Sequence, residues 1–258
     1  MQVRFRKGEK NEKDLFIEVW RSEDGRGFVS SRKVSDKVTK IYNDAVFGSA
    51  AWSRDETKIV FIGEKPEPAT YKSYWEDEQP KKEEDKKEGG DEAKPKEPET
   101  STKYLDEKYK YADDFGETLV GKKRPGMFVF DLVANTLSEV LGLPESDFYS
   151  TFPVFDESSK GIVFAGVKSP YQKLGMNFCL NRDTKLYYVR EPVFDKKQVP
   201  EEDTSQYMQC LNGEEFMAIN PKFSEDFSKL LYFGAKDKFI SHTGNFQLRY
   251  LSWPPKGG

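Results

Sequence analysis

The sequence predicts an all-β fold, a partial β-propeller of about three to four four-stranded antiparallel blades. Three observations carry this: a twelve-residue pattern that recurs at fixed offsets, a second hairpin-like pair after each copy, and turn chemistry between them. The pattern is "WSRDETKIVFIG" from Trp52, "FDESSKGIVFAG" from Phe155 and "FSEDFSKLLYFG" from Phe223. Each copy sets an aromatic before a polar turn containing Asp or Glu. Apolar residues follow at offsets seven to nine, and glycine at offset eleven (Gly63, Gly166, Gly234). A polar turn followed by a short β-branched or aromatic run is a hairpin signal. Self-similarity at fixed offsets marks a repeat architecture.

The elements follow in chain order. Residues 13–34, "LFIEVWRSEDGRGFVSSRKV" at their core, read as a lone second hairpin with no first hairpin before it. Residues 47–142 form the next unit: the Trp52 copy, then "GMFVFDLVANTLSEVLG", in which "LVANTL" supplies the turn. Residues 150–199 repeat the plan with the Phe155 copy and "TKLYYVREPVFDKKQV". Residues 216–258 hold the Phe223 copy and "GNFQLRYLSWPP". Two hairpins per unit give the four-stranded blade of a propeller. Closed propellers use about 4–8 blades, so both ends are expected to present unpaired strand edges and the chain to be a segment of a larger ring. Trp52, Phe155 and Phe223 are expected at equivalent, largely buried places.

Residues 76–103 interrupt the second unit. Between positions 76 and 99 stand eleven acidic and six basic residues, and the largest aliphatic side chain is that of Ala93. Such a segment cannot bury enough apolar area to offset its ordering entropy, and a disordered charged insertion is expected. Positions 76–99 thus carry −5 against −4 for the whole chain, which leaves the remainder nearly neutral at about +1. A nearly neutral body lacks the basic stripe that neutralises phosphates, so no nucleic-acid partner is expected. No apolar run approaches the roughly 18 residues of a membrane helix, and no apolar core near Met1 suggests a secretory signal. Cys179 and Cys210 form neither a CxxC pair nor a disulfide framework. A cytoplasmic protein with reduced thiols is the expectation.

Chemistry-bearing residues are sparse. Asp113 and Asp114 in "YADDFGETLVGKKRPGMFVFDL" could bind a metal or a peptide amino group, but such a pair more often solvates a turn. Ser49 in "FGSAAWS" lacks the GxSxG turn of a nucleophile elbow. His242, the single histidine, lies in a loop-like stretch, and neither Cys179 nor Cys210 has a histidine nearby in sequence to activate it. There is no HExxH, EF-hand or glycine-rich phosphate loop. No catalytic, cofactor-binding or metal-binding residue is assigned.

One stretch is not explained by β-propensity alone: "YQKLGMNFCLNRDTKLYYVR", residues 171–190. It resembles the propeller of the acylaminoacyl-peptidases, also called acylamino-acid-releasing enzymes, a serine-hydrolase family of the prolyl-oligopeptidase type. The likeness extends in the same order to "FIEVW", "FGSAAWS" and "YADDFGETLVGKKRPGMFVFDL". The resemblance implies a propeller that covers an α/β-hydrolase domain and gates short N-acylated peptides, from which the enzyme removes the blocked residue. The family's Ser, Asp and His lie in the hydrolase domain, and no position here matches them. Members have more propeller on either side of the matched region. The expectation is therefore a non-catalytic propeller portion whose partners are the hydrolase domain, the remaining propeller and, through the whole enzyme, short blocked peptides. It would arise as a truncated product, an incomplete gene model or a separate subunit. Homo-oligomers are compatible with it. The alternative is a stand-alone interaction module without enzyme activity.

Overall fold

The structure, a computed structural model, describes residues 1–9, 11, 13–21, 27–66, 114–144, 147–169, 173, 175–176, 182–194, 207–213, 217–235 and 246–255. One compact unit comprises Met1–Pro66 and Asp113–Gly258; a second, Glu67–Ala112, lies outside the described residues and contains the charged stretch 76–103.

Every regular element is a strand, and no α-helix occurs among the described residues. The first sheet is β1 (Gln2–Lys7), β2 (Leu15–Arg21) and β3 (Gly27–Lys33), antiparallel and in that order. The second has β4 (Lys40–Ile41) and β5 (Ala51–Trp52) on one edge of β6 (Lys58–Glu64), followed by β7 (Pro125–Asp131) and β8 (Thr136–Glu139). The third is β9 (Phe148–Phe155), β10 (Ile162–Lys168), β11 (Thr184–Val189) and β12 (Gln209–Cys210). The fourth, β13 (Met217–Phe223), β14 (Lys229–Ala235) and β15 (Gln247–Ser252), meets the third through one parallel pair, Thr184 with Met217.

The repeat has a structural counterpart in its turns. Glu56, Ser159 and Phe227, each four residues after the aromatic, share a positive φ of 54 to 57°. In each turn the residue after the aromatic (Ser53, Asp156, Ser224) closes the hairpin with its backbone and its side-chain oxygen. Ser53 and Ser224 also donate to Asp55 and Asp226, which holds both carboxyls down at about 2.

Consecutive sheets stack face to face, and alternation along each central strand feeds two cores. In β6, Ile59 and Phe61 pack with Ile17 and Val19 of the first sheet, whereas Val60 and Ile62 face the third. In β10, Ile162 and Phe164 join that second core, while Val163 and Ala165 meet Ala218, Leu230 and Tyr232 of the fourth sheet. Burial on both faces explains why these strands read as unbroken apolar runs. The glycine at offset eleven also has a packing reason. A Cβ on Gly166 would come 2.4 Å from Phe148 Cζ and 2.7 Å from Tyr187 Cδ2.

Four details differ from the sequence reading. The first unit starts at Gln2, not 13, because "QVRFRK" alternates its apolar Val3 and Phe5 toward the core opposite Val19 and Ile17. The second begins at Lys40, since its inner strand is split into β4 and β5. A fourth strand of the third sheet is Gln209–Cys210, beyond the 150–199 unit, while Val193 bridges to Leu141. Of the three repeat aromatics only Phe155 is buried. Trp52 and Phe223 are half-buried; Phe223 stacks on Phe227, meets Trp253 edge-on and lies at the margin of the core shared by the third and fourth sheets.

Candidate functional site

The inner-edge strands β9 and β13 carry the same irregularity. Phe152–Pro153 and Asn220–Pro221 stand at equivalent positions, three and two residues before Phe155 and Phe223. Phe152 and Asn220 have φ of 51° and 54°, and the ladder register shifts at both places. These are β-bulges, which bend a strand and re-aim its side chains. Proline fits there because it has no N–H to contribute to a ladder. The neighbouring edge comes very close: Phe152 donates its amide to the Phe47 carbonyl at 2.9 Å. A Cβ on Gly48, whose φ is 87°, would lie 3.0 Å from Phe152 Cα. Glycine is required at that crossing.

The bulges and the chain before β5 enclose a cleft of about 280 Å³ lined by Asn43, Asp44, Gly48, Ser49, Phe152, Pro153, Asn220 and Lys222. Its two charges are not equivalent. Asp44 Oδ1 accepts the amides of Val46 (2.9 Å) and Phe47 (3.0 Å), and Oδ2 accepts from the buried Lys122 ammonium. That carboxylate is neutralised by its own surroundings. Lys222 is exposed and gives the cleft its net positive character.

Behind the cleft, residues 114–124 dock on the second sheet through buried polar groups. Lys122 lies 5.0 Å and 5.3 Å from the ring centres of Tyr42 and Phe47, a cation–π placement. Glu64 accepts the Tyr42 hydroxyl and the amides of Lys123 (3.0 Å) and Arg124 (2.8 Å). Burial, and then the Glu64 carboxylate, pushes the Tyr42 phenol far above its ordinary value. Phe115 packs edge-on against Phe47 and Tyr149. Asp114 Oδ1 accepts the Gly116 amide at 2.8 Å and so caps a turn.

A larger cavity of about 460 Å³ opens between the second and third sheets, where Lys58, Lys160, Asp131 and Glu191 surround Phe155 and Phe194. Two of its charges are engaged by backbone: Lys58 donates to the Ser159 carbonyl in the third sheet's turn at 3.2 Å, and Asp131 accepts the Ala134 amide of its own turn at 2.8 Å.

Of the residues singled out in the sequence, Ser49 lines the cleft and Cys210 is exposed on β12. Asp113, Cys179 and His242 lie outside the described residues. Among the described residues no three His, Cys, Asp or Glu side chains group as metal ligands, and no helix is long and apolar enough to cross a membrane. Sequence reasoning missed Asn43, Phe152, Asn220 and Lys222, although a residue–proline step at one offset in two repeats was a usable signal.

A family model described as "Acylamino-acid-releasing enzyme, N-terminal domain" matches residues 4–258. The acylamino-acid-releasing enzyme of Mus musculus is 27% identical over 86% of this chain and 28% of its own length. That of Homo sapiens is 28% identical over 95% of this chain and 31% of its length. A solved acylaminoacyl peptidase in complex with Z-Gly-Gly-Phe-chloromethyl ketone aligns with a TM-score of 0.32 and 13% identity, over 97% of this chain and 30% of that one. The chain thus spans roughly three tenths of the length of these curated relatives.

Proposed function

This chain belongs to the family of N-terminal domains of acylamino-acid-releasing enzymes, and on that premise we propose that it is the non-catalytic propeller portion of such an enzyme. In this reading it controls which peptides reach a hydrolase domain that removes N-acylated residues from short blocked peptides. The observation that carries the reading is the family match over residues 4–258, on a body of stacked, mostly antiparallel units of three to five strands. The convergence of inner edges from successive sheets on a narrow polar cleft supports a gating role, because folded proteins cannot enter so small an opening. A cytoplasmic setting and self-association belong to the same proposal.

The test joins this chain to the hydrolase segment of a relative, by fusion or by co-expression. Acetyl-alanine anilide and blocked peptides of increasing length serve as substrates. The chain alone is expected at the background rate, and the assembly is expected to cleave short blocked peptides while sparing long ones. Two results count against the reading. One is turnover by the pure chain that vanishes with His242→Ala. The other is an assembly that cleaves folded proteins as readily as tripeptides.

A further inference from the structure

We infer that the inner-edge cleft is a subsite for the free C-terminal carboxylate of a short peptide, with Lys222 as its counter-ion. The inference rests on the proposed gating role and names the chemistry of the peptide end that the cleft takes.

The cleft lining is rich in donors. Lys222 offers an ammonium, Asn43 and Asn220 offer amides and Ser49 offers a hydroxyl. Among the described residues, no hydrogen bond or ion pair occupies these four side chains. Asp44, the only acidic group in the lining, has both oxygens engaged by Val46, Phe47 and Lys122. A ligand anion therefore meets one uncompensated cation and several neutral donors. Charge-assisted hydrogen bonds of this kind are about twice as strong as neutral ones.

The backbone has been bent to assemble this set. Asn220 sits in the left-handed region, which asparagine tolerates better than most residues. Asn220 and Lys222 are alternate residues of β13 and reach the same opening, whereas Phe152 and Pro153 are adjacent and line it together because β9 bulges there, adjacent side chains on a regular strand facing opposite ways. On the second bulged strand the lining residues are apolar. Phe152 and Pro153 form a wall against which the last side chain of a peptide can lie. A volume of about 280 Å³ admits one or two residues of a peptide and no more, being at the small end of ligand pockets, which run from ~300 Å³. Anion and small apolar group together describe a peptide terminus better than an inorganic ion.

The test uses the full 258-residue chain and two probes, N-acetyl-trialanine as the free acid and as the C-terminal amide, titrated by calorimetry. Inorganic phosphate is titrated as a third arm. The acid is expected to bind about tenfold more tightly than the amide, the loss typical of one charge-assisted contact. Lys222→Gln is expected to abolish that preference with an unchanged unfolding midpoint, Lys222→Arg to retain it, and Ser49→Ala to weaken the acid alone. Equal binding of acid and amide, a preference that survives Lys222→Gln, or phosphate binding as tight as the acid would each overturn the inference. Such a failure with length selection intact in the fused hydrolase leaves the gating reading standing. Loss of length selection as well removes both.

Discussion

Lys122→Met separates the packing of residues 114–124 from their charge. The ammonium is nearly buried, its side chain 9% exposed, while its partner Asp44 is 25% exposed. Methionine keeps the volume and the contact with the Tyr42 and Phe47 rings but leaves Asp44 Oδ2 without its cation. Removing one member of a fully buried pair costs ~3–5 kcal/mol. Water reaching Asp44, and the two amides still bound to Oδ1, reduce this to about 2–3 kcal/mol. For a chain of this size that corresponds to a Tm lower by roughly 4–10 °C. Lys33→Met is the matched control, because Lys33 pairs with Asp14 at 2.7 Å but is 53% exposed. It should cost less than about 1 kcal/mol. Urea unfolding followed by tryptophan fluorescence measures both, and adding Asp44→Asn closes a double-mutant cycle with an expected coupling of about 1–2 kcal/mol. If Lys122→Met costs no more than Lys33→Met, the pair is not the anchor of this segment.

Phe155→Ala should cost ~3–5 kcal/mol, the range for a core aromatic, whereas Trp52→Ala and Phe223→Ala should cost distinctly less because both rings are half-buried; equal losses in urea melts would contradict the burial pattern. Deleting residues 76–103 while keeping 114–124 should move the unfolding midpoint by no more than a few degrees, since the Lys65 amide bonds the Arg124 carbonyl at 2.9 Å and Arg124 holds the Pro66 carbonyl across the base of the connection. Calorimetry on the deletion variant checks this. Burial holds the Tyr187 phenol up at about 12, and those of Tyr42, Tyr149 and Tyr188 higher still. Their folded values are raised, so the associated stability is intact below the ordinary tyrosine range near ~10 and is lost as pH climbs through the folded values. Urea midpoints should fall steeply above about pH 10, and less steeply in the Tyr42→Phe/Tyr149→Phe double variant; parallel profiles would refute the assignment.

The sequence revealed features that local chemistry dictates. A serine or aspartate after an aromatic closes each hairpin, and the apolar triplets of β6, β10 and β14 follow at the same offset. Short outer strands were not legible. Gln209–Cys210 is two residues long and exposed, with no apolar alternation to mark it. Strand β1 does alternate, but with three basic residues among its six it reads as a polar leader. The cleft was hidden for a different reason. Asn43 and Ser49 come from one edge and Asn220 and Lys222 from another about 170 residues later, so no local window contains the set.

What connects the fold to a role is the cost of the bulges. A residue other than glycine held at positive φ costs on the order of 1–3 kcal/mol and persists only where its surroundings enforce it. For Phe152, a bulky side chain directly before proline, the conformation is especially unfavourable. Stacking of the sheets does not require it, since the central strands β6 and β10 fill both cores without such residues. Yet the same step recurs in β13, where asparagine relieves part of the penalty and carries a donor into the cleft. Two repeats that share an energetically costly feature at one end of the inner edge, with no positive-φ residue in the central strands β6 and β10, place the strain where a ligand would meet it. Replacing Asn220 by glycine should therefore stabilise the chain or leave it unchanged while weakening peptide binding. A site kept only for packing would show the opposite order.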